Sequence, residues 1–130
     1  MRLVLIRGLP GSGKSTFARK SFPGAFHLEN DMFHIRDGEY RFDFRRQKDA
    51  VKWCMETAVR ALEAGMDVVV SNTFTRRRYV LAYKSLADRF GADFSVYRMD
   101  GDWGSVHAVP ESVMESMRSG FEDWDGEILV

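Results

Sequence analysis

The stretch that decides the fold is Gly8-Leu9-Pro10-Gly11-Ser12-Gly13-Lys14-Ser15. It fits the pattern G-x-x-x-x-G-K-[ST], in which a glycine-rich loop surrounds nucleotide phosphates. The apolar run at 3–6 is predicted to form a buried strand, and residues 16–20 are predicted to begin a helix. Strand, loop and helix in this order are the context that a phosphate-binding loop requires. At ordinary amino-acid usage the pattern arises by chance about once in 20,000 start positions, so we reject a chance match.

Each residue type in this loop has a chemical reason. Glycine permits backbone angles that turn successive N–H groups toward an anion, and the helix that follows adds its positive dipole end. Lys14 supplies a charge for the β- and γ-phosphates, and the Ser15 hydroxyl is a hard oxygen ligand for Mg²⁺. The residues predicted to bind the nucleotide are Gly8, Gly11, Ser12, Gly13, Lys14, Ser15 and Thr16.

Composition narrows the class of protein. The 130 residues are 45% hydrophobic and 29% charged, which suits one domain, residues 1–130, with a core of its own. Nineteen basic and nineteen acidic residues cancel, so no global field favours a long nucleic acid or an anionic membrane. Cys54 is the one cysteine and has no metal-ligand spacing around it. The N-terminus is predicted strand rather than signal peptide, and we expect a soluble, cytoplasmic protein with no membrane partner.

The rest of the chain alternates between strand and helix patterns. Strands are predicted at 25–29, 66–70 and 93–98 and at the C-terminus, and helices at 48–64, from 75 to 90 and from 109 onward with Pro110 in the first helical position. This alternation predicts an α/β sandwich. The helix residues predicted to face the core are Val51, Cys54, Ala58, Ala61, Leu62, Val80, Leu81, Tyr83, Leu86, Ala87, Phe90, Val113, Met114, Met117 and Phe121.

Two strand ends carry polar residues of interest. Ligands bind beyond the carboxyl ends of parallel strands, so Asp31 is expected near the phosphate loop, where it can accept a proton from a hydroxyl or hold a metal through water. With similar weight, Asn30-Asp31 can instead cap the next helical turn. The strand at 66–70 ends in Ser71-Asn72-Thr73, where P-loop proteins usually have an acidic residue, so Asn72 offers only a neutral oxygen.

Residues 33–46 alternate aromatic side chains with arginines around an Asp37-Gly38 turn. Arginine suits phosphate and flat aromatic faces suit a base or a sugar, although a solvated surface loop or hairpin explains the same pattern slightly better. Arg76, Arg77 and Arg78 offer further cations, with ordinary solvent exposure as the alternative. The three histidines, His27, His34 and His107, are predicted to be structural rather than metal-binding.

Four segments together resemble the P-loop kinases related to the kinase domain of bacteriophage polynucleotide kinase. They are GLPGSGKSTFAR at 8–19, ENDMF at 29–33, VSNT at 70–73 with the arginines that follow, and HAVPESVMESM at 107–117. The resemblance implies a three-layer P-loop NTPase sandwich with a parallel sheet in strand order 2-3-1-4-5, ATP with Mg²⁺ as phosphate donor, and a hydroxyl-bearing acceptor.

By matching position, Asp31 corresponds to one member of the family's acidic pair, one of which is the general base; here the pair is Asn30-Asp31. The chain departs from the pattern at Asn72, where the polynucleotide kinase has Asp. The stretch between Arg98 and His107 is also too short for a full lid that carries a catalytic arginine. The arginines that can substitute are Arg76, Arg77, Arg78 and Arg118.

These observations predict an ATP- and Mg²⁺-dependent kinase that transfers the γ-phosphate to a hydroxyl acceptor, with a polynucleotide 5′-hydroxyl as one candidate. Lys14 and Asp31 are its predicted catalytic residues and Ser15 its metal ligand. A P-loop ATPase or a nucleotide-binding module without kinase activity is the first alternative. A nucleic-acid-binding module with a vestigial phosphate loop is the second, and the zero net charge makes it the weakest.

Overall fold

The computed structural model describes residues 1–101 and 109–130. Its strands are β1 (Arg2–Arg7), β2 (Phe26–Leu28), β3 (Ile35–Arg36), β4 (Glu39–Tyr40), β5 (Val68–Ser71), β6 (Asp93–Arg98) and β7 (Ile128–Leu129). Five of them form one parallel sheet in the order β2-β5-β1-β6-β7. Counted without the hairpin strands β3 and β4, this is the order 2-3-1-4-5, so the predicted α/β P-loop topology is confirmed.

Four helices accompany the sheet: α1 (Lys14–Ser21), α2 (Gln47–Glu63), α3 (Arg77–Phe90) and α4 (Glu111–Ser119). Single turns of 3₁₀ helix lie at Asn30–His34 and Phe44–Arg46. The helix α3 ends at Gly91, whose φ of 64° is a left-handed conformation that glycine adopts without strain. Among the described residues no helix is both long enough and apolar enough to cross a membrane.

Two apolar clusters cover the two faces of the sheet. Side chains alternate along a strand, so Leu3 and Leu5 of β1 lie in one cluster while Val4 and Ile6 lie in the other. The first cluster packs against α2 and α3, and the second packs against α1 through Ala18. The phosphate loop therefore follows the central strand of the sheet, which fixes its position.

The structure corrects the predicted helix faces and one helix start. Val51 and Leu81 are 47% and 54% exposed rather than buried, because each lies at the edge of its helix's apolar stripe, and Ala50 is buried in α2 instead. None of the residues of α4 is buried. Pro110 is the cap residue before α4 and not its first helical residue, since its ψ is 142°. His107 and most of the predicted short lid lie outside the described residues.

The segment after β2 forms a hairpin, as one of the two predictions for it stated. The strands β3 and β4 pair antiparallel, Ile35 with Tyr40 and Arg36 with Glu39. Asp37 and Gly38 between them have φ values of 53° and 78°. Positive φ at both central residues is the geometry of the tight turn that matches the twist of two paired strands.

Candidate active site

The loop between β1 and α1 has the backbone that an anion site requires. Gly11 and Gly13 adopt φ values of 79° and 91°, which side chains with a Cβ rarely tolerate. At Gly8 the constraint is space, because a Cβ there would lie 2.6 Å from Ser12 Oγ and 3.0 Å from the carbonyl oxygen of Met99. No side chain caps the first turn of α1, so its amides face no competing oxygen from a cap.

Ser12 adds a further polar group to this loop. Its Oγ is buried, and it has no hydrogen-bond partner among the residues that the structure describes. Nearly all buried polar groups in proteins are paired, so an unpaired one in a loop is unusual. The loop therefore contains a hydroxyl that its own residues leave unsatisfied.

Lys14 folds back onto the loop that carries it. Its ammonium group donates a hydrogen bond to the carbonyl oxygen of Leu9 at 2.9 Å. Burial lowers the pKa of Lys14 to about 8, although the neighbouring carboxylates of Glu29 and Asp31 act in the opposite direction. A phosphate bound in the loop would replace the neutral Leu9 carbonyl with a charged hydrogen-bond partner for the Lys14 ammonium group.

Glu29 is a site residue that the sequence reasoning missed. It follows β2 directly, and its carboxylate accepts a hydrogen bond from the Ser15 hydroxyl. His27 Nε2 lies 3.0 Å from Glu29 Oε2, the same oxygen that Ser15 contacts, and 3.0 Å from Ser71 Oγ. Burial alone would raise the pKa of Glu29, but hydrogen bonds from His27 and Ser15 outweigh it and lower the pKa.

The structure thus brings His27, predicted to be structural, next to Glu29, whose carboxylate bonds to Ser15 of the phosphate loop. The signal that could have identified Glu29 was the one used for Asp31, a carboxylate just beyond a parallel strand. Sequence patterns gave no means of deciding which of the two would contact Ser15. The residues present fit a magnesium ion, because a serine hydroxyl and a carboxylate are the hard oxygen ligands that it prefers.

Asp31 lies in the 3₁₀ turn that follows β2, where its carboxylate accepts a hydrogen bond of 3.4 Å from the Tyr40 hydroxyl. Burial, with the help of this carboxylate, raises the pKa of Tyr40 to about 12. The cap residue of the turn is Glu29 and no side chain caps it. The alternative in which Asn30-Asp31 is a helix cap is therefore wrong, and Asp31 is close enough to Lys14 to affect its charge.

Asn72 does not face Ser15. Its side-chain oxygen accepts a hydrogen bond from the Asn30 amide at 2.8 Å, and its side-chain nitrogen donates to Asn30 Oδ1 at 3.1 Å. The same nitrogen lies 4.0 Å from Cys54 Sγ. Asn72 thus holds the ends of β2 and β5 together.

The arginine-aromatic segment forms an open pocket of about 350 Å³ beside the hairpin. Its lining residues are His34, Arg36, Arg41, Phe42, Asp43 and Arg45. His34 is buried and bonded to the Gln47 side chain at 2.9 Å, which is the structural role that the sequence predicted. Arg41 and Arg45 form exposed ion pairs with Glu39 and Asp43. Exposed pairs of this kind contribute little stability, so their arginines can be drawn to another anion.

The arginines proposed to replace a lid arginine do not gather at the phosphate loop. Arg77 pairs with Glu122, and Arg118 pairs with Glu115. Arg78 donates to the Tyr79 hydroxyl at 3.1 Å, and the guanidinium of Arg76 lies against Gly120. Arg76 and Arg77 thus contact the segment after α4, whereas Arg78 contacts its own helix α3.

Arg7 is a second residue that the sequence reasoning overlooked. It ends β1, is completely buried, and donates to the Phe74 carbonyl oxygen at 3.1 and 2.5 Å and to Glu127 at 2.8 Å. Its guanidinium also lies 4.4 Å from the centre of the Phe121 ring. The buried guanidinium of Arg7 thus links β1, the strand before the phosphate loop, to the loop after β5 and to the C-terminal segment.

A comparison with protein families supplies the next observation. A family model described as an AAA domain matches residues 3–108, which is most of the chain. The chain belongs to this AAA domain family. Its phosphate loop, parallel sheet and strand order are those of P-loop kinases, and the resemblance to the polynucleotide kinase group is confirmed.

Three curated relatives are similar in sequence to this AAA domain. An uncharacterised protein of Pasteurella multocida (strain Pm70) is 29% identical over 135 residues, covering 88% of this chain and 73% of its own. The human NEDD4-binding protein 2 is 33% identical over 67% of this chain. A putative bifunctional polynucleotide kinase/RNA ligase of the Autographa californica nuclear polyhedrosis virus is 26% identical over 76%. The matched parts are only 5% and 16% of the lengths of these last two proteins.

Solved structures share the architecture of the AAA domain. A sugar kinase of Janibacter sp. HTCC2649 superposes with a TM-score of 0.69 at 18% identity, over 100% of this chain and 84% of its own. A chain of the Pnkp1/Rnl/Hen1 RNA repair complex gives 0.69 at 19% identity, over 92% of this chain and 43% of its own. At these identities the likeness shows the fold, and the acceptor has to be argued from the site.

Proposed function

We propose that this domain is an ATP- and Mg²⁺-dependent phosphotransferase that moves the γ-phosphate of ATP to a polynucleotide 5′-hydroxyl. The observation that carries the proposal is the position of Asp31. Its carboxylate is close enough to the phosphate-loop lysine, Lys14, to oppose the fall in that residue's pKa. A phosphate site and a carboxylate beside it are the two parts that transfer to a hydroxyl needs.

The loop residues bind the polyphosphate of ATP through backbone N–H groups and the N-terminus of α1. Lys14 leaves the Leu9 carbonyl, which it contacts at 2.9 Å, and donates to the γ-phosphate. Ser15 would hold Mg²⁺, which when bound would supply charge neutralisation for the phosphates. These interactions position the phosphate and stabilise the charge of the transition state, and little else is required of the protein.

Asp31 acts on the acceptor in this proposal. The acceptor oxygen attacks the γ-phosphorus, the bond from that phosphorus to the β–γ bridging oxygen breaks, and the acceptor proton passes to the Asp31 carboxylate. The products are ADP and a phosphate monoester. Tyr40 orients Asp31 through its hydroxyl, which donates to Oδ1 at 3.4 Å.

The arginine-lined pocket favours an acceptor that itself carries phosphates. Arg36, Arg41 and Arg45 line about 350 Å³ of open space on the hairpin side of Asp31. Guanidinium groups bind phosphate in a bidentate manner, and Phe42 in the same wall offers a face for a base. A neutral sugar would leave these cations unused. The viral polynucleotide kinase/RNA ligase and the RNA repair complex support the same acceptor class.

The experiment is a comparison of acceptors with γ-labelled ATP and Mg²⁺. We expect label on a 5′-hydroxyl oligonucleotide and none on gluconate or on an oligonucleotide that already has a 5′-phosphate. Arg41→Gln is expected to weaken apparent oligonucleotide affinity several-fold and leave ATP affinity unchanged, while Arg60→Gln, on the surface of α2, serves as its control. Label on gluconate alone would overturn the polynucleotide acceptor.

An ATPase without an acceptor is the second candidate. It is favoured by the arginines at 76, 77, 78 and 118, whose contacts among the described residues are with Gly120, Glu122, Tyr79 and Glu115 rather than with the phosphate loop. A kinase without a lid arginine has less stabilisation for the transferring phosphate. Release of free phosphate at the same rate with and without oligonucleotide would establish this function instead.

A further inference from the structure

The contact between Ser15 and Glu29 has a consequence for metal binding. We propose that Glu29 is the carboxylate ligand of the catalytic cation and that it takes over the role which an acidic residue at position 72 would have. The inference rests on the proposed nucleotide binding and assigns the metal ligand of the same site.

Glu29 lies beside the predicted metal ligand Ser15. Ser15 Oγ donates its hydrogen bond to Glu29, so the predicted metal ligand and this carboxylate are already neighbours. Glu29 lies just beyond the carboxyl end of β2 and Ser15 lies in the first turn of α1, so both are at the edge of the sheet where ligands bind. The side chain of Glu29 is 19% exposed, which leaves it accessible from the phosphate loop.

The side chain of Asn72 is already hydrogen-bonded to Asn30. Both polar atoms of its side chain are bonded to Asn30, at 2.8 and 3.1 Å. A cation that took the oxygen of Asn72 would have to break the bond from the Asn30 amide. A neutral amide oxygen also attracts Mg²⁺ less than a carboxylate does. A carboxylate has about four acceptor sites, so Glu29 can bind a cation while its Oε2 keeps the contacts with Ser15 and His27.

The carboxylates near Lys14 also favour a cation at this site. The carboxylate of Glu29 bonds to Ser15 of the phosphate loop, and both Glu29 and Asp31 act electrostatically on Lys14 of the same loop. Without a cation, a carboxylate beside the phosphates would repel them. A divalent ion between Glu29 and the phosphates turns this repulsion into attraction.

The carboxylate of Glu29 is supported by His27. His27 Nε2 lies 3.0 Å from Glu29 Oε2 and also 3.0 Å from Ser71 Oγ. Metal-binding carboxylates are usually held in orientation by a hydrogen bond from a neighbouring group, and loss of that partner weakens metal binding. His27 is thus a positioning residue for Glu29.

The test measures the dissociation constant of ATP by calorimetry, once with Mg²⁺ and once with EDTA. For the wild type we expect Mg²⁺ to tighten binding. For Glu29→Gln we expect this Mg²⁺ effect to fall by about tenfold or more, while affinity in EDTA stays equal or improves because a negative charge has gone. Glu39→Gln, which removes an exposed carboxylate of the hairpin, should behave as the wild type.

A direct readout follows the metal itself. Electron paramagnetic resonance of Mn²⁺ with ADP should show a protein-bound ternary signal that Glu29→Gln weakens and Glu29→Asp retains in part. Equal loss of affinity in Mg²⁺ and EDTA, or no loss in either, would overturn the metal-ligand role. Absence of ATP binding by the folded wild type in both conditions would instead overturn the proposed function. A thermal unfolding curve for each variant shows whether a loss of ATP affinity is caused by unfolding. If Glu29→Gln is unfolded, the Mg²⁺ effect measured with Glu29→Asp decides the metal-ligand role.

Discussion

Asn30 and Asn72 bond to each other twice, through the Asn30 amide at 2.8 Å and through the two side chains at 3.1 Å. They follow the neighbouring strands β2 and β5, so the pair joins two loops at the edge of the sheet that carries the phosphate site. This neutral pair holds Glu29 and Asp31, on either side of Asn30, in fixed positions relative to the phosphate loop.

Asn72→Asp should therefore destabilise the protein instead of improving it. The Asn30 amide could still donate to the new carboxylate, but Asn30 Oδ1 would lose its donor and face a negative charge. We expect the free energy of unfolding to fall by about 1–2 kcal/mol. Urea denaturation measures the change, with Asn72→Ser as the matched control. A variant as stable as the wild type would show that the pair contributes nothing.

Lys14→Met should stabilise the free protein at pH 7 and abolish tight nucleotide binding. Burial lowers the pKa of Lys14 from 10.5 to about 8, so the folded state disfavours its charge. This destabilisation is complete below pH 8 and disappears as pH rises from 8 to 10.5, since the unfolded lysine stays protonated there. After allowance for the lost bond to Leu9, we expect a gain of about 1–2 kcal/mol in urea denaturation at pH 7. Lower stability of the variant would contradict the burial argument.

Nucleotide affinity should fall as pH rises above about 8. The free protein loses the Lys14 proton there, whereas the ammonium bound to phosphate keeps it, so each further pH unit should weaken ATP binding about tenfold. Calorimetry between pH 7 and 9.5 measures this slope. The profile of Lys14→Arg should be flat over that range, because a guanidinium stays charged. A steep slope that persists in Lys14→Arg would assign the titration to another group.

Glu127→Gln should cost about 3 kcal/mol of stability, because it leaves the buried Arg7 without its charged partner at 2.8 Å. The double variant Arg7→Met/Glu127→Leu should recover much of that loss, since apolar replacements of both members of a buried pair are often close to neutral. Denaturant unfolding of the three proteins tests the pair. Equal stability of Glu127→Gln and the wild type would contradict this expectation, because the carboxylate would then be essential neither to Arg7 nor to Arg98, which also contacts Glu127 at 3.1 Å.

The local sequence pattern was sufficient to predict the strands of the sheet and the phosphate loop. The apolar run before Gly8 and the glycines of the loop each require one conformation, and the resemblance supplied the strand order. Periodicity located the helices but misjudged Val51 and Leu81, because it shows the direction of an apolar stripe and not how much of its edge the neighbouring elements cover.

Tertiary contacts explain what the sequence could not predict. Glu29 and Arg7 form bonds to residues 14 and 120 positions away, and nothing in the local pattern around either residue indicates those partners. Asn72 was correctly identified as a neutral oxygen at a strand end, but its role as the partner of Asn30 depends on the pairing of β2 with β5.

The central claim is that Asp31 serves a phosphate-transfer site, and its direct test is the rate of γ-phosphate transfer from ATP to a 5′-hydroxyl oligonucleotide. We predict transfer by the wild type, a loss of about 100-fold or more in Asp31→Asn with ATP affinity retained, and full activity in the turn variant Asp37→Asn. Transfer by Asp31→Asn at the wild-type rate would contradict the account, as would a folded, ATP-binding wild type that phosphorylates no oligonucleotide.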